Sequence, residues 1–179
     1  LLADETYDLN GNYLVINKDN VGRLKGMTIT GTYHPTERLT GDQKIEGGIV
    51  IDNVEVDLTI ENVNISYDSI IIDDAAGILL KGNAKLNLTV KGENSLEGTY
   101  GGAGIGVEEK ATLIITKEST GSLTATGGGY GAAGIGGRAT VPLNGDIKSY
   151  KTGTIEIQGG NIHAVGGGCL LYTSDAADE

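Results

Sequence analysis

Apolar and polar residues alternate through four segments, residues 54–60, 84–90, 111–116 and 153–158, with Ile114 in a polar position of the third. The second reads Ala84-Lys-Leu-Asn-Leu-Thr-Val90. A period of two is the signature of a strand with one buried face, and it puts Val56, Leu86, Leu113 and Ile155 on the same side. Each segment follows a Gly-Ile pair. The pairs Gly48-Ile49, Gly77-Ile78, Gly104-Ile105 and Gly134-Ile135 are spaced 29, 27 and 30 residues apart. A short third apolar-polar stretch follows in each copy, at 63–65, 95–97, 122–125 and 161–165. No stretch carries a 3.6-residue apolar period, so the chain is predicted to be all-β.

A unit of three short strands cannot bury its own apolar face, so successive units must stack. Pairing like strands in parallel would align Ile and Leu in continuous columns, with glycine at the corners. The pattern therefore predicts a right-handed parallel β-helix, a β-solenoid of about 27–30 residues per rung. Residues 45–168 carry the repeats. Residues 1–44 form a degenerate N-terminal rung or cap, with strands near 13–16 and 27–30. A β-sandwich is the competing fold, but it would not require four copies to keep one phase.

Composition sharpens this picture. Thirty glycines and no Phe or Trp among 179 residues, without a collagen triplet, point to many tight turns. The net charge of −11 opposes binding to nucleic acid and to anionic membrane surfaces. No window is long and apolar enough to insert as a membrane helix. The chain lacks an initiator Met and reads as a piece of something longer, so the remainder of that chain is expected among its partners. Residues 169–179, Cys-Leu-Leu-Tyr-Thr-Ser-Asp-Ala-Ala-Asp-Glu, share nothing with the repeats. They resemble the conceptual translation of a transposase-type sequencing adapter and are set aside as non-native. Without their three acids the charge is −8, and no cysteine remains.

Ala-Gly-Ile-Gly followed by Ala-Thr-Leu-Ile-Ile-Thr, then Gly-Ser-Leu-Thr-Ala-Thr-Gly-Gly and Gly-Ala-Ala-Gly-Ile-Gly-Gly, resembles the repeat regions of large surface and secreted proteins of gut Firmicutes. It is also similar to clostridial carbohydrate-binding β-helix domains of pectate-lyase-like fold. The resemblance covers residues 45–168. It implies an extracellular or cell-surface location and a polysaccharide ligand, and it assigns no binding residue.

Three sets of residues are candidates for binding. Thr59, Thr89 and Thr116, with Asn87 beside them, face outward in register and form a polar ladder that can meet the hydroxyls of an extended polysaccharide. The plain alternative is that Thr and Asn simply suit an exposed strand. Tyr100 and Tyr130 occupy like positions before a glycine-rich corner and should stack there, with Tyr67 below them, as a platform for sugar rings. Twelve extra residues within 138–151 must leave the rung as a loop, and Arg138, Lys148 and Lys151 make it basic. For a metal, Asp52, Asp73 and Asp74 are the nearest match to the acidic cluster of a calcium-dependent lyase. No cofactor is otherwise expected, with calcium left open. His34 and His163 stand alone, and alternation turns His163 outward. The favoured reading is a non-catalytic carbohydrate-binding or adhesion module. A structural spacer of a surface protein and a fragment of a polysaccharide lyase or hydrolase are the alternatives.

Overall fold

The computed structural model describes residues 5–37, 43–68, 74–140 and 148–168, the last of these by backbone alone at 148–149. The tail 169–179 and Asp73 lie outside them.

The N-terminal unit contains β1 (Thr6–Asp8), β2 (Leu14–Ile16), the single-turn helix α1 (Val21–Leu24) and β3 (Thr28–Tyr33). The next holds β4 (Gly47–Asp52) and β5 (Glu55–Ile65). Then come β6 (Ala76–Lys81), β7 (Lys85–Lys91) and β8 (Glu93–Glu97), followed by β9 (Ile105–Val107), β10 (Thr112–Ile115) and β11 (Ser122–Thr126). The last unit has β12 (Ile135–Gly136), a ribbon of β13 (Ala139–Thr140) and β14 (Lys148–Ser149), then β15 (Thr154–Ile157) and β16 (Asn161–Val165).

These strands form two parallel sheets. A small sheet has the order β12-β9-β6-β4-β2. A large one has β5 at its centre, with β7, β10 and β15 beside its first half and β8, β11 and β16 beside its second, while β3 and β1 extend it on the other side. The ribbon β13–β14 is antiparallel and stands apart.

This corrects the expected right-handed β-helix of uniform rungs. The second and third strands of each unit do not form separate faces. They belong to one sheet, curled into a half-barrel, with the small parallel sheet as its companion. In its wholly parallel main sheets the layout resembles an α/β-type arrangement, although its helix is one turn long. The physical reason sits at Asn62. Its φ of 56° turns β5 within a strand that remains continuous over eleven residues. Gly92 (φ 60°) stands beside it, and Gly160 (φ 79°) makes the corresponding turn before β16. A single left-handed residue bends the chain without taking it out of the ladder, so the sheet curls instead of ending.

The core lies between the two sheets. Val56, Leu86, Leu113 and Ile155 align in one column, and Leu58, Leu88, Ile115 and Ile157 in the next. From the small sheet Leu14, Ile49, Ile78, Ile105 and Ile135 form a facing column. Most are fully buried, whereas Ile157 at the outer edge is 51% exposed. The small sheet is also apolar on its far side, where Val50, Ala76 and Leu79 are buried. Burial of both faces explains why β4 and β6 read as apolar runs while β5 and β7 alternate.

The Gly-Ile pairs gain a meaning here. A Cβ on Gly48 would strike the Ile65 side chain, one on Gly77 would lie 2.9 Å from the Leu96 Cβ, and one on Gly104 would lie 2.6 Å from the Thr126 nitrogen. In each unit this glycine is where the small sheet closes against the end of the large sheet's third strand.

Candidate functional site

The outward face of the large sheet carries a threonine column. Thr6 is in register with Thr28, Thr28 with Thr59 and Thr59 with Thr89. The Thr89 and Thr116 hydroxyls are hydrogen-bonded at 2.8 Å. The sequence pattern had placed Thr59, Thr89 and Thr116 together. It missed Thr6 and Thr28, although the alternation of Met27-Thr-Ile-Thr30 was the signal that could have found Thr28. Beside this column run Asp57, Asn87, Ile114 and Glu156, and then Glu55, Lys85, Thr112 and Thr154. Asn87 donates to Asp57 at 2.6 Å, and Lys85 pairs with Glu55 at 3.0 Å. Strands ~4.8 Å apart set the step of the ladder. The Thr89 and Thr116 hydroxyls keep unused hydrogen-bonding capacity after this one bond to each other.

Tyr100 and Tyr130 do meet at a corner, away from this ladder. Their ring centroids are 4.7 Å apart with planes tilted by 53°. Both backbones are left-handed, with φ of 56° and 62°. Such a conformation is costly for tyrosine and persists only where its surroundings impose it. At Tyr100 they do so through two bonds: Gly102 N–H donates to the Thr99 carbonyl at 2.8 Å, and Gly101 N–H to Asp74 Oδ1 at 3.1 Å. A hydrogen bond to Tyr130 raises the Tyr100 phenol above its ordinary pKa.

Tyr67 is not beneath this pair, contrary to expectation. It packs edge-to-face on Tyr33 at 6.0 Å, and Tyr33 packs on Tyr13 at 6.3 Å. The Tyr67 hydroxyl donates to the Ala76 carbonyl at 2.5 Å. Burial, helped by the adjacent Tyr13, pushes the Tyr33 phenol up to about 12. Burial, followed by Tyr33, likewise raises Tyr67 far above the phenol range. The folded chain thus holds these protons more tightly than an unfolded chain titrating near pH ~10. Their stabilisation is complete below pH ~10 and is lost as pH rises through the folded values. Urea midpoints should stay level to pH ~9 and then fall, with Tyr33 contributing roughly 2–3 kcal/mol of the loss by pH ~12. Tyr33→Phe should flatten the decline, and an unchanged slope would refute the assignment.

Of the metal candidates, Asp73 lies outside the described residues, and Asp52 and Asp74 stand apart. Asp52, at the end of β4, is in register with Lys81 and accepts from Asn53 Nδ2 at 2.8 Å. Asp74 precedes β6, at the opposite end of that sheet, roughly 20 Å away by strand rise. Among the described residues no three His, Cys, Asp or Glu side chains are grouped to hold a metal. His163 is exposed on β16, and His34 is hydrogen-bonded to Ser66 at 2.9 Å.

Two of the insertion's expected cations, Arg138 and Lys151, stand beside acids. Arg138 lies 4.0 Å from Glu108 and over the Tyr150 ring, 4.9 Å from its centroid. Lys151 pairs with Glu109 at 3.6 Å. Lys148 lies on β14 of the ribbon. Glu108 and Glu109 were missed because nothing local ties them to an insertion thirty residues downstream.

No protein-family model, curated protein or solved structure matches this chain.

Proposed function

We propose that this chain is a non-catalytic carbohydrate-binding module of an extracellular or cell-surface protein, and that it grips an extended neutral polysaccharide along the outward face of the large sheet. The observation that carries the reading is the register of Thr28, Thr59, Thr89 and Thr116 beside Asp57 and Asn87. A repeating row of hydroxyl, amide and carboxylate groups suits a repeating row of sugar hydroxyls. The Tyr100–Tyr130 corner offers a second contact, through the partly exposed Tyr130 ring. The resemblance to clostridial carbohydrate-binding domains points the same way. The net charge of −11 disfavours acidic polymers.

Affinity electrophoresis on gels containing neutral or acidic polysaccharides tests this. Retention is expected on at least one neutral polymer. Thr89→Val/Thr116→Val keeps the shape of the face and removes two hydroxyls. At ~1 kcal/mol for each hydrogen bond lost, it should weaken retention about tenfold or more. Retention on no polymer, or retention indifferent to this variant, would favour a structural spacer. That alternative draws on the bonds the ladder already makes to itself.

A further inference from the structure

The outer face of the small sheet carries its own column, Val15, Val50, Leu79, Gly106 and Gly136. The first three positions project apolar side chains, and the last two project none. The apolar layer ends with the Leu79 side chain leaning over Gly106, and glycine backbone forms the floor beyond it. Arg138, Tyr150 and Lys151, from the two described ends of the insertion, wall this gap. Tyr150 N–H donates to the Arg138 carbonyl at 3.1 Å, so the returning chain crosses Gly137. A Cβ on Gly137 would lie 2.5 Å from the Tyr150 carbonyl oxygen, so only glycine allows that crossing. The result is a cleft of about 290 Å³ between the glycine floor and Tyr150, a residue 46% exposed.

Its polar groups are arranged for a ligand. Glu108 Oε2 accepts the Gly82 N–H at 2.8 Å, which tethers the carboxylate. The other oxygen, Oε1, faces Arg138 Nη2 at 4.0 Å, too far for a direct hydrogen bond and suited to bridging by a hydroxyl that accepts from one and donates to the other. Arg138 is held over one face of Tyr150. Lys151 and Glu109 stand at the rim, so the four charged side chains sum to zero. The volume is at the lower end of small-molecule sites, and an aromatic wall with few convergent polar groups is their usual lining.

We infer that this cleft binds a single neutral sugar residue, with adjacent hydroxyls bridging Glu108 and Arg138 and a C–H face against Tyr150. A charge-balanced rim gives no advantage to an anionic ligand, and a wholly apolar one would strand the carboxylate and guanidinium. The inference shares the ligand class with the proposed function but uses different residues. The two can therefore fail separately.

The test is titration of the isotope-labelled chain with free glucose, galactose and mannose, and with glucuronate, followed by amide shifts. Saturable shifts are expected at Gly106, Gly136 and Gly137 with at least one neutral sugar, and weaker ones with glucuronate. Tyr150→Ala should raise the Kd tenfold or more, Tyr150→Phe should keep it within about twofold, and Glu108→Gln should weaken it severalfold. Melting temperatures would show that each variant is folded. No shifts at these glycines with any neutral sugar, or shifts that survive Tyr150→Ala, would overturn the inference. Thr89→Val/Thr116→Val should leave these shifts intact while polymer retention falls. Shifts in the cleft without retention on any polymer would sink the proposed function and leave this inference standing.

Discussion

Replacing Asn94 with leucine should destabilise the protein by about 3 kcal/mol, although leucine is what the apolar pattern asks for at that position. Asn94 stands in an inward column beside Val63, and Leu123 and Ile162 continue it. It is 5% exposed. Its side-chain oxygen accepts the Val63 N–H at 2.9 Å, and its amide donates to the Lys91 and Ser122 carbonyls at 2.7 and 3.2 Å. One side chain thereby ties the backbones of three successive units together at the bend of the half-barrel. Leucine would gain roughly 1.5–3 kcal/mol of burial. It would withdraw bonds from three backbone groups, one buried and two partly buried, at about 1–3 kcal/mol for each one left unsatisfied. The second effect wins. For a chain of this size the melting temperature should fall by roughly 6–12 °C. Chemical denaturation of Asn94→Leu beside wild type checks this, and a variant of equal or greater stability would refute it.

The same residue shows where reading the sequence stops. Alternation and the Gly-Ile spacing are local and periodic, so the pairing of like strands in parallel was legible, as was the meeting of Tyr100 with Tyr130. A left-handed Asn62 leaves no such trace. Asparagine there suits a turn that ends a strand as well as one that bends it. That ambiguity is why separate faces were expected where one curled sheet forms. The threonine column was legible because it repeats at the period of the fold. The cleft was not, because its parts come from β9, β12 and the insertion, and its floor consists of side chains that are absent. Gly106 and Gly136 look like any glycine after Gly-Ile until Val50 and Leu79 are seen in the same column.

Glycine is also where the remaining large effect is expected. Gly104→Ala should cost about 3 kcal/mol or more, the upper end for overpacking. A methyl group there would lie 2.6 Å from the Thr126 nitrogen, 2.7 Å from the Gly134 oxygen and 2.8 Å from the Ala125 carbonyl carbon. All three are backbone atoms, two of them in β11 and the third next to β12, so none can swing aside as a flexible side chain would. Relief requires the small sheet to draw back from the large one, which opens the core at Ile78, Ile105 and Leu96. Gly22→Ala provides the opposite case. Gly22 lies in α1, its new methyl would meet nothing within 4 Å, and its φ is not left-handed. Alanine there should stabilise by roughly 0.4–1 kcal/mol, because it restricts the unfolded chain without disturbing the folded one. Both variants remove the same flexibility from the unfolded state, so the difference between them isolates the packing of the two sheets. Denaturant midpoints for the pair measure that difference. If Gly104→Ala behaves like Gly22→Ala, the close approach of the sheets is not what the Gly-Ile repeat encodes.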